Sequence, residues 1–171
     1  MEIKAGIIGA CARGGSFKAG LEAVGITIKA VCDINEDGLA DAAERMGAEQ
    51  KYTDYEEMLD KAGIDAVIIG TPMQLHVPMS IAALKKNISV LCEVTAGVSI
   101  EECKDLVAAC KESDAVYMMA ENYIYFKNNV LVTELVKKGL FGQVYYAEGE
   151  YVHELKQMNE DTPWRRTWQT A

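Results

Sequence analysis

The sequence predicts an α/β fold, in which a doubly wound parallel sheet is followed by the first strand of a truncated second α/β domain. Apolar runs of strand length alternate with segments of helical periodicity along most of the 171 residues, a rhythm typical of a parallel sheet covered by helices. The first run, residues 3–8, ends in a glycine turn at residues 9–14, and the second ends at Asp33. This order of strand, glycine turn, helix, strand and acidic residue is the layout of a dinucleotide-binding Rossmann unit.

Strands and helices keep alternating through the first half of the chain. Strands are predicted over residues 26–32, 51–53 and 65–70, and helices over residues 36–46 and 55–61. Gly47 ends the first of these helices, because glycine readily adopts the left-handed conformation found just after a helix C-terminus. The run at residues 65–70 is continuously apolar and has the length that a buried parallel strand needs.

The second half of the chain continues this alternation and gives clearer signals for helix starts. Strands are predicted over residues 88–92 and 116–120, and helices over residues 71–86, 100–111 and 128–138. Thr71 predicts an N-cap and Pro72 the first helical position, where proline is favoured. Ser99 and Glu102 have the spacing of a capping box. Each strand is thus followed by a helix, as a parallel sheet requires.

Two domains are expected, a cofactor-binding Rossmann domain at residues 1–122 and the incomplete start of a substrate domain at residues 123–171. From Gln143 to His153 the side chains alternate between two faces, as in a partly solvated strand of a second sheet. The tail after this strand has no closing element, so we expect a chain that stops early. An unpaired strand edge and an apolar face predict self-association into a homo-oligomer.

Composition and charge exclude several classes of partner. The net charge of −9 argues against nucleic acid and anionic membranes, because neither attracts an acidic surface. No apolar stretch approaches the about 18 residues that a membrane span requires. The N-terminus has neither the basic start nor the long apolar region of a signal peptide, so a cytoplasmic location is expected.

The five cysteines are expected to be reduced thiols. They contain no C-x-x-C pair and have no metal-ligand spacing with His76 or His153, so no metal site is predicted. Four of them lie in predicted strands or on apolar helix faces, where cysteine acts as a small hydrophobe. Cys11 alone has a functional alternative, since a thiol at a helix N-terminus can have a lowered pKa.

The glycine turn and Asp33 together predict NAD as the cofactor. The turn lets the backbone approach a diphosphate at the start of a helix. Asp33 follows Gly14 by about 20 positions, the spacing of the carboxylate that binds the adenosine ribose hydroxyls. A carboxylate there repels a 2′-phosphate, which favours NAD over NADP. The turn departs from the usual fingerprint at Cys11, whose side chain can either crowd the diphosphate or be accommodated by a small shift.

Several of these pieces together resemble the glucose-fructose oxidoreductase / inositol dehydrogenase (Gfo/Idh/MocA) family. The matching pieces are Gly-Ile-Ile-Gly at residues 6–9, Asp33, Thr71-Pro72 followed by His76, Glu93, Glu121-Asn122-Tyr123, and Trp164-Arg165. The resemblance implies a two-domain enzyme with its active site between the domains, NAD as cofactor, and a sugar or polyol as substrate.

Position at the strand ends and the resemblance together predict the binding residues. Cofactor contacts are predicted for Gly9, Ala10, Cys11, Ala12, Arg13, Gly14, Asp33, Thr71, Pro72, His76, Glu93 and Asn122. Substrate contacts are predicted for Trp164 and Arg165. For His76 the alternative is a capping or core histidine, and for Glu93 an exposed loop carboxylate. Asn122 could instead cap the chain before the next helix.

The expected catalytic residues follow from which residues of the family pattern are absent from this chain. Members of the family commonly carry Glu-Lys-Pro after the fifth strand, whereas this chain has Glu93-Val94-Thr95, without the lysine. The family's aspartate and histidine in a D-x-x-x-H pattern lie beyond the last residue of this chain. Tyr151 and His153 are the best remaining acid/base candidates, because strand spacing places both on one face and histidine titrates near neutrality. The alternative is that both side chains only pack.

Three functions stay open at this point. The first is an NAD-dependent oxidoreductase that transfers a hydride from a sugar or polyol to nicotinamide, with this chain as its cofactor-binding half. The second is an NAD-dependent glycosidase, because residues 118–123 and 151–155 resemble the family branch that contains NAD-dependent α-N-acetylgalactosaminidase-like proteins. The third is an NAD-binding module without catalysis. For the 171 residues alone we expect no measurable turnover.

Overall fold

A computed structural model describes residues 2–163 of the protein, and these form two units. The first unit ends at Ala120 and the second begins at Glu121. The strands of the first unit are β1 (Lys4–Ile8), β2 (Thr27–Cys32), β3 (Gln50–Tyr52), β4 (Ala66–Ile69), β5 (Ser89–Cys92) and β6 (Tyr117–Met119). Its helices are α1 (Lys18–Ala23), α2 (Glu36–Met46), α3 (Tyr55–Lys61), α4 (His76–Leu84) and α5 (Ile100–Glu112).

The first unit is built on one sheet of six parallel strands in the order β3-β2-β1-β4-β5-β6. This is the doubly wound order, in which the chain reverses its direction of travel between β1 and β4. Ligands of such sheets bind outside the carboxyl ends of the strands at that reversal. The predicted Rossmann fold is therefore confirmed. No helix within residues 2–163 is long and apolar enough to cross a membrane.

The register of the sheet brings three predicted site positions, and one glycine that was not predicted, into one row. The last residues of four adjacent strands are paired across the sheet: Cys32 with Ile8, Ile8 with Ile69, and Ile69 with Cys92. The residues that follow them are Asp33, Gly9, Gly70 and Glu93. All four therefore lie at the carboxyl edge of the sheet, side by side.

Hydrophobic side chains pack against both faces of the sheet. One cluster includes Met58 of α3, Ile69 of β4 and Leu84 of α4, all less than 2% exposed. The other includes Ile7 of β1 and Val31 of β2. Full burial of each such side chain stabilises the fold by about 1.5 to 3 kcal/mol, so the sheet edge rests on a well-packed core.

Caps fix the helix boundaries where the sequence places them. The side chain of Asn35 accepts a hydrogen bond from Gly38 N at the start of α2, and Gly47 ends that helix in the left-handed conformation. Asp54 accepts hydrogen bonds from two backbone N–H groups at the start of α3. Both helices have the predicted bounds, because their caps are local in sequence.

The predicted helix after β4 starts later than its sequence signals indicate. Met73–Leu75 form a short 3-10 turn and α4 begins only at His76. The side chain of Thr71 does not cap the turn; its hydroxyl lies 3.6 Å from the sulfur of Met79. The hydroxyl therefore packs inward, and the N-cap prediction at Thr71 is wrong.

The second unit contains a 3-10 turn at Tyr123–Tyr125 and the helices α6 (Lys127–Lys137) and α7 (Lys156–Asp161). The strand predicted from Gln143 to His153 is not formed within the described chain. A strand exists only where its backbone pairs with a neighbour, and residues 143–153 have no such partner among residues 2–163. Alternation alone therefore gave a wrong element here. Self-association stays a prediction.

Candidate functional site

The floor of the site consists of backbone, because three glycines touch one another at the reversal of the sheet. A Cβ on Gly9 would lie 2.6 Å from the carbonyl oxygen of Gly70, and one on Gly70 would lie 2.5 Å from Gly14 Cα. A Cβ on Gly14 would in turn meet the carbonyl oxygen of Gly9 at 2.7 Å. Gly9 also has a φ of 81°, which side-chain-bearing residues rarely adopt. The turn can therefore lie flat against the end of β4 only with glycine at these positions.

Asp33 joins the end of β2 to the glycine turn. Its Oδ2 accepts a hydrogen bond from Cys11 N at 2.8 Å, and its Oδ1 accepts one from Asn35 N at 3.0 Å. A carboxylate can accept about four hydrogen bonds, so each oxygen keeps a site for a further donor. The two backbone bonds thus fix the carboxylate while leaving it able to accept from a diol.

A cavity of about 240 Å³ lies beside Asp33 at the carboxyl edge of the sheet. It is lined by Ile8, Gly9, Ala12, Cys32, Asp33, Ile34, Thr53, Tyr55, Gly70, Thr71, Pro72, Leu75 and Met79. Pockets for drug-sized ligands measure about 300 to 1,000 Å³, so this cavity fits one end of a dinucleotide. Mostly apolar walls suit a flat base, and Asp33 suits the two hydroxyls of its ribose. The residues present therefore fit the adenosine end of NAD.

The thiol of Cys11 lies on the α2 side of the glycine turn. Its sulfur is 3.8 Å from the carbonyl oxygen of Asn35 and would lie 3.3 Å from a Cβ on Gly38. Burial raises the pKa of this thiol, and the negative charge of Asp33 raises it further. The alternative of a thiol with a lowered pKa is therefore wrong, and the sulfur packs against the start of α2.

The remaining residues of the turn and of the loop after β4 hold the shape of the cavity. Ala10 is fully buried, and its carbonyl oxygen accepts a hydrogen bond from Arg45 Nη2 at 3.3 Å. Ala12, Thr71 and Pro72 line the cavity directly. Ala10 is therefore a structural member of the predicted set, and the other three have atoms that a ligand can reach.

An ion pair joins the glycine turn to the end of β5. Arg13 Nη2 and Arg13 Nε both lie 2.6 Å from Glu93 Oε1. The side chain of Glu93 is 15% exposed and that of Arg13 is 53% exposed. Glu93 is thus not an exposed loop carboxylate but a largely buried one that holds a cation.

His76 connects the two loops that follow β4 and β5. Its ring is fully buried, with Nδ1 2.6 Å from the carbonyl oxygen of Thr95 and Nε2 2.9 Å from that of Thr71. Both ring nitrogens already face protein oxygens, so the ring has no polar atom left for a ligand. The structure places His76 between the loops that follow β4 and β5, where it contacts the backbone of Thr71 and Thr95.

The second unit brings the two predicted catalytic side chains into contact. Tyr151 Oη lies 3.5 Å from His153 Nδ1, and the ring of Tyr123 packs edge-on against Tyr151 with 5.3 Å between centroids. A hydrogen bond with Tyr151 raises the pKa of Tyr123. Asn122 precedes this group, and its carbonyl oxygen accepts from Tyr125 N. Trp164 and Arg165 lie outside the described residues.

Sequence reasoning missed several residues that line the cavity. Gly70 follows an apolar strand directly, and a glycine at that point was an available signal for close backbone approach. Ile34 and Leu75 contribute apolar wall. No local pattern marks these two residues, because their role depends on the pairing of distant strands.

Comparison with a protein-family model identifies what this architecture is similar to. The model of Gfo/Idh/MocA, described as an oxidoreductase family with an NAD-binding Rossmann fold, matches residues 3–121. The match therefore covers the whole sheet and every residue of the glycine turn.

Relatives and a solved structure extend the comparison beyond the first unit. A glycosyl hydrolase family 109 protein from Shewanella pealeana is 33% identical over 98% of this chain and 40% of its own length. An α-N-acetylgalactosaminidase from Shewanella oneidensis is 31% identical over 98% of this chain and 40% of its own length. The crystal structure of myo-inositol 2-dehydrogenase from Lactobacillus plantarum superposes with a TM-score of 0.89 at 23% identity, covering 100% of this chain and 52% of that one. The chain thus spans 40% of the length of these two relatives.

Proposed function

The chain belongs to the Gfo/Idh/MocA oxidoreductase family, which has an NAD-binding Rossmann fold, and from this premise we propose that it serves an NAD-dependent oxidoreductase acting on a sugar or polyol. The observation that carries the proposal is the geometry of Asp33. Two backbone N–H groups hold its carboxylate beside a cavity that fits an adenosine. The NAD cofactor predicted from the sequence agrees with the family match.

Asp33 supports selection of NAD over NADP. Its two oxygens are already oriented by Cys11 N and Asn35 N, so they are ready to accept hydrogen bonds from two neighbouring hydroxyls. A 2′-phosphate in the same place would bring negative charge against a carboxylate that cannot turn away. The neighbours Ile34 and Asn35 offer no cation to compensate that repulsion.

The chemistry of the reaction divides between the cofactor and the protein. A bound nicotinamide would supply the acceptor for a hydride from a carbon of the substrate. In our proposal Tyr151 and His153 hold or move the proton of the substrate hydroxyl, since their side chains are in contact and both can exchange protons. Val94, at the position of the family's lysine, cannot do so. The contact between Tyr151 and His153 supports this assignment.

A glycosidase is the second candidate. The relatives at 31 to 33% identity carry glycosidase names, and Val94 replaces the lysine that the family's sugar dehydrogenases commonly carry. In such a reaction a bound NAD would be regenerated within each turnover, so no net NADH would accumulate. This difference separates the two functions experimentally.

Two measurements test the proposal. Isothermal titration calorimetry should show tighter binding of NAD⁺ than of NADP⁺. Asp33→Asn should reduce the difference between the two affinities, and its circular dichroism spectrum should show that the fold is intact. Tighter binding of NADP⁺ to the unchanged protein would contradict the cofactor assignment.

The reaction is tested by incubating the protein and NAD⁺ with sugars, polyols and aryl glycosides. Net NADH formation, read at its absorbance band, supports an oxidoreductase. Release of the aryl group without net NADH supports the glycosidase. For the 171 residues alone we expect NAD⁺ binding with neither product. The same result with a protein as long as the curated relatives would support a binding module and contradict both catalytic proposals.

A further inference from the structure

The ion pair between Arg13 and Glu93 connects strands that are not neighbours. Arg13 belongs to the turn after β1, Glu93 follows β5, and β4 lies between them in the sheet. The pair therefore spans the carboxyl end of β4, where Gly70 contacts Gly14. A ligand that extends from the adenosine cavity toward β5 must pass this pair.

Only one of the two carboxylate oxygens of Glu93 takes part in the ion pair. Both Arg13 Nε and Nη2 are directed at the same oxygen, Glu93 Oε1. Among residues 2–163, Glu93 Oε2 and Arg13 Nη1 have no hydrogen-bond partner. Arg13 is also the more exposed partner, and its guanidinium carbon lies 6.0 Å from the centre of the Phe17 ring. The guanidinium is thus fixed in place and still presents donors outward.

The position of the pair relates it to one part of a dinucleotide. Neither Arg13 nor Glu93 lines the adenosine cavity, although Ala12 does. The pair therefore begins where the cavity ends, at the glycine turn. The group that follows adenosine in NAD is a diphosphate with two negative charges, and a guanidinium is well suited to bind phosphate oxygens.

The charge of Glu93 makes the pairing necessary. An unpaired carboxylate that is 15% exposed would be costly to bury and would repel a diphosphate close by. With Arg13 bound to it, the two charges compensate each other and the cation stays at the crevice. Since the whole chain carries a net charge of −9, a carboxylate that is compensated in this way repels an anionic ligand less than an unpaired one would.

From these observations we infer that Arg13 binds the diphosphate of the dinucleotide and that Glu93 is the positioning residue that fixes its guanidinium. This inference rests on the proposed function. It assigns the two residues one shared role, so removal of either should act on the same part of the ligand.

The test compares ligands that end before and after the diphosphate. Adenosine, ADP-ribose and NAD⁺ are titrated by calorimetry into the unchanged protein and into Arg13→Gln, Glu93→Gln and the double variant. Because charge-assisted bonds to phosphate are strong, we expect Arg13→Gln to weaken ADP-ribose and NAD⁺ by about tenfold and to leave adenosine unchanged. Glu93→Gln should weaken the same two ligands to a smaller extent.

Two further variants separate positioning from a general effect. Arg13→Lys keeps the positive charge but lacks the planar guanidinium with its several N–H donors. It should therefore bind ADP-ribose more tightly than Arg13→Gln does. Lys18→Gln removes one positive charge from the exposed pair with Glu22 and should leave all three affinities unchanged. The double variant should bind ADP-ribose as weakly as Arg13→Gln alone, because Glu93 acts only through Arg13.

Four results would overturn the inference. Tighter binding of ADP-ribose to Glu93→Gln would show that Glu93 competes with the ligand instead of positioning its partner. An equal loss for adenosine and ADP-ribose in Arg13→Gln would show a structural effect on the whole site. If the unchanged protein binds adenosine and NAD⁺ but Arg13→Gln binds NAD⁺ equally well, only this inference fails. If the unchanged protein binds none of the three ligands, the proposed function fails as well.

Discussion

The Nδ1 atom of His76 lies 2.6 Å from the carbonyl oxygen of Thr95. This contact links the start of α4 to the loop after β5, and Nε2 makes a second contact of 2.9 Å with the carbonyl oxygen of Thr71. The ring donates through whichever nitrogen carries a proton. One buried imidazole therefore ties together two loops of the candidate site.

We predict that His76→Ala lowers the free energy of unfolding by about 2 to 4 kcal/mol, since it leaves a cavity and an unpartnered buried carbonyl group. Urea denaturation followed by circular dichroism measures the change. His153→Ala, at an exposed side chain, serves as the control and should stay close to the unchanged protein. Equal stability of the two variants would contradict the bracing role.

Replacement of Gly70 tests the contact between the glycines. Gly70→Ala places a Cβ against the backbone of Gly14, which cannot move without displacing the turn, so we expect a loss of at least about 1 to 3 kcal/mol in stability. NAD⁺ affinity should fall as well. Gly20→Ala is the matched control, because a Cβ at Gly20 meets nothing within 4 Å. In helix α1 that change should stabilise by up to about 1 kcal/mol.

Cys11 offers a test of the irregular position in the glycine turn. Its sulfur packs toward Asn35, so we expect Cys11→Gly to change the free energy of NAD⁺ binding by less than about 0.5 kcal/mol, the range of neutral substitutions. Cys11→Ala also removes the sulfur but leaves the backbone less flexible than glycine does. It should change the free energy of NAD⁺ binding, measured by calorimetry, as little as Cys11→Gly. A gain in affinity of about 1 kcal/mol or more, the scale of local strain, would show that the thiol crowds the diphosphate.

Stability should decline at alkaline pH because of a buried thiol. Burial raises the pKa of Cys92 from 9.0 to about 11, so the unfolded chain loses this proton at a lower pH than the folded chain does. The resulting stabilisation is complete below pH 9.0 and is lost as the pH rises through about 11. At about 1.4 kcal/mol per pKa unit, it amounts to roughly 2 to 3 kcal/mol.

Urea midpoints at a series of pH values from neutral to alkaline measure this decline. Cys92→Ala should show a smaller one, although burial also raises the pKa of Cys32, to about 12. An unchanged pH profile in Cys92→Ala would contradict the assignment to this thiol.

The sequence was sufficient for features that are encoded locally. Helices α2 and α3 have the predicted bounds, because their caps lie within a few residues of the turns they begin. The position of Asp33 at the end of β2 could also be predicted from the sequence, since the spacing between the glycine turn and the acidic residue reflects the length of one helix and one strand.

Features that depend on distant partners could not be predicted. Arg13 and Glu93 are 80 positions apart, and only the strand order brings them together. The burial of His76 depends on the loop after β5, which the residues around His76 do not reveal. The strand expected at residues 143–153 failed for the same reason, since alternation describes one strand and not its partner.

The glycine floor of the crevice has a consequence for how this protein can change. Gly9 and Gly70 line the cavity with backbone alone, and Gly14 packs against both of them, so this part of the surface does not depend on the identity of any side chain. Side chains at the rim, such as Ile34 and Leu75, can then vary without repacking what lies below them. Substitutions at the rim of the cavity should therefore be able to change the preference for one cofactor over another. Almost no substitution should be tolerated at the three glycines themselves.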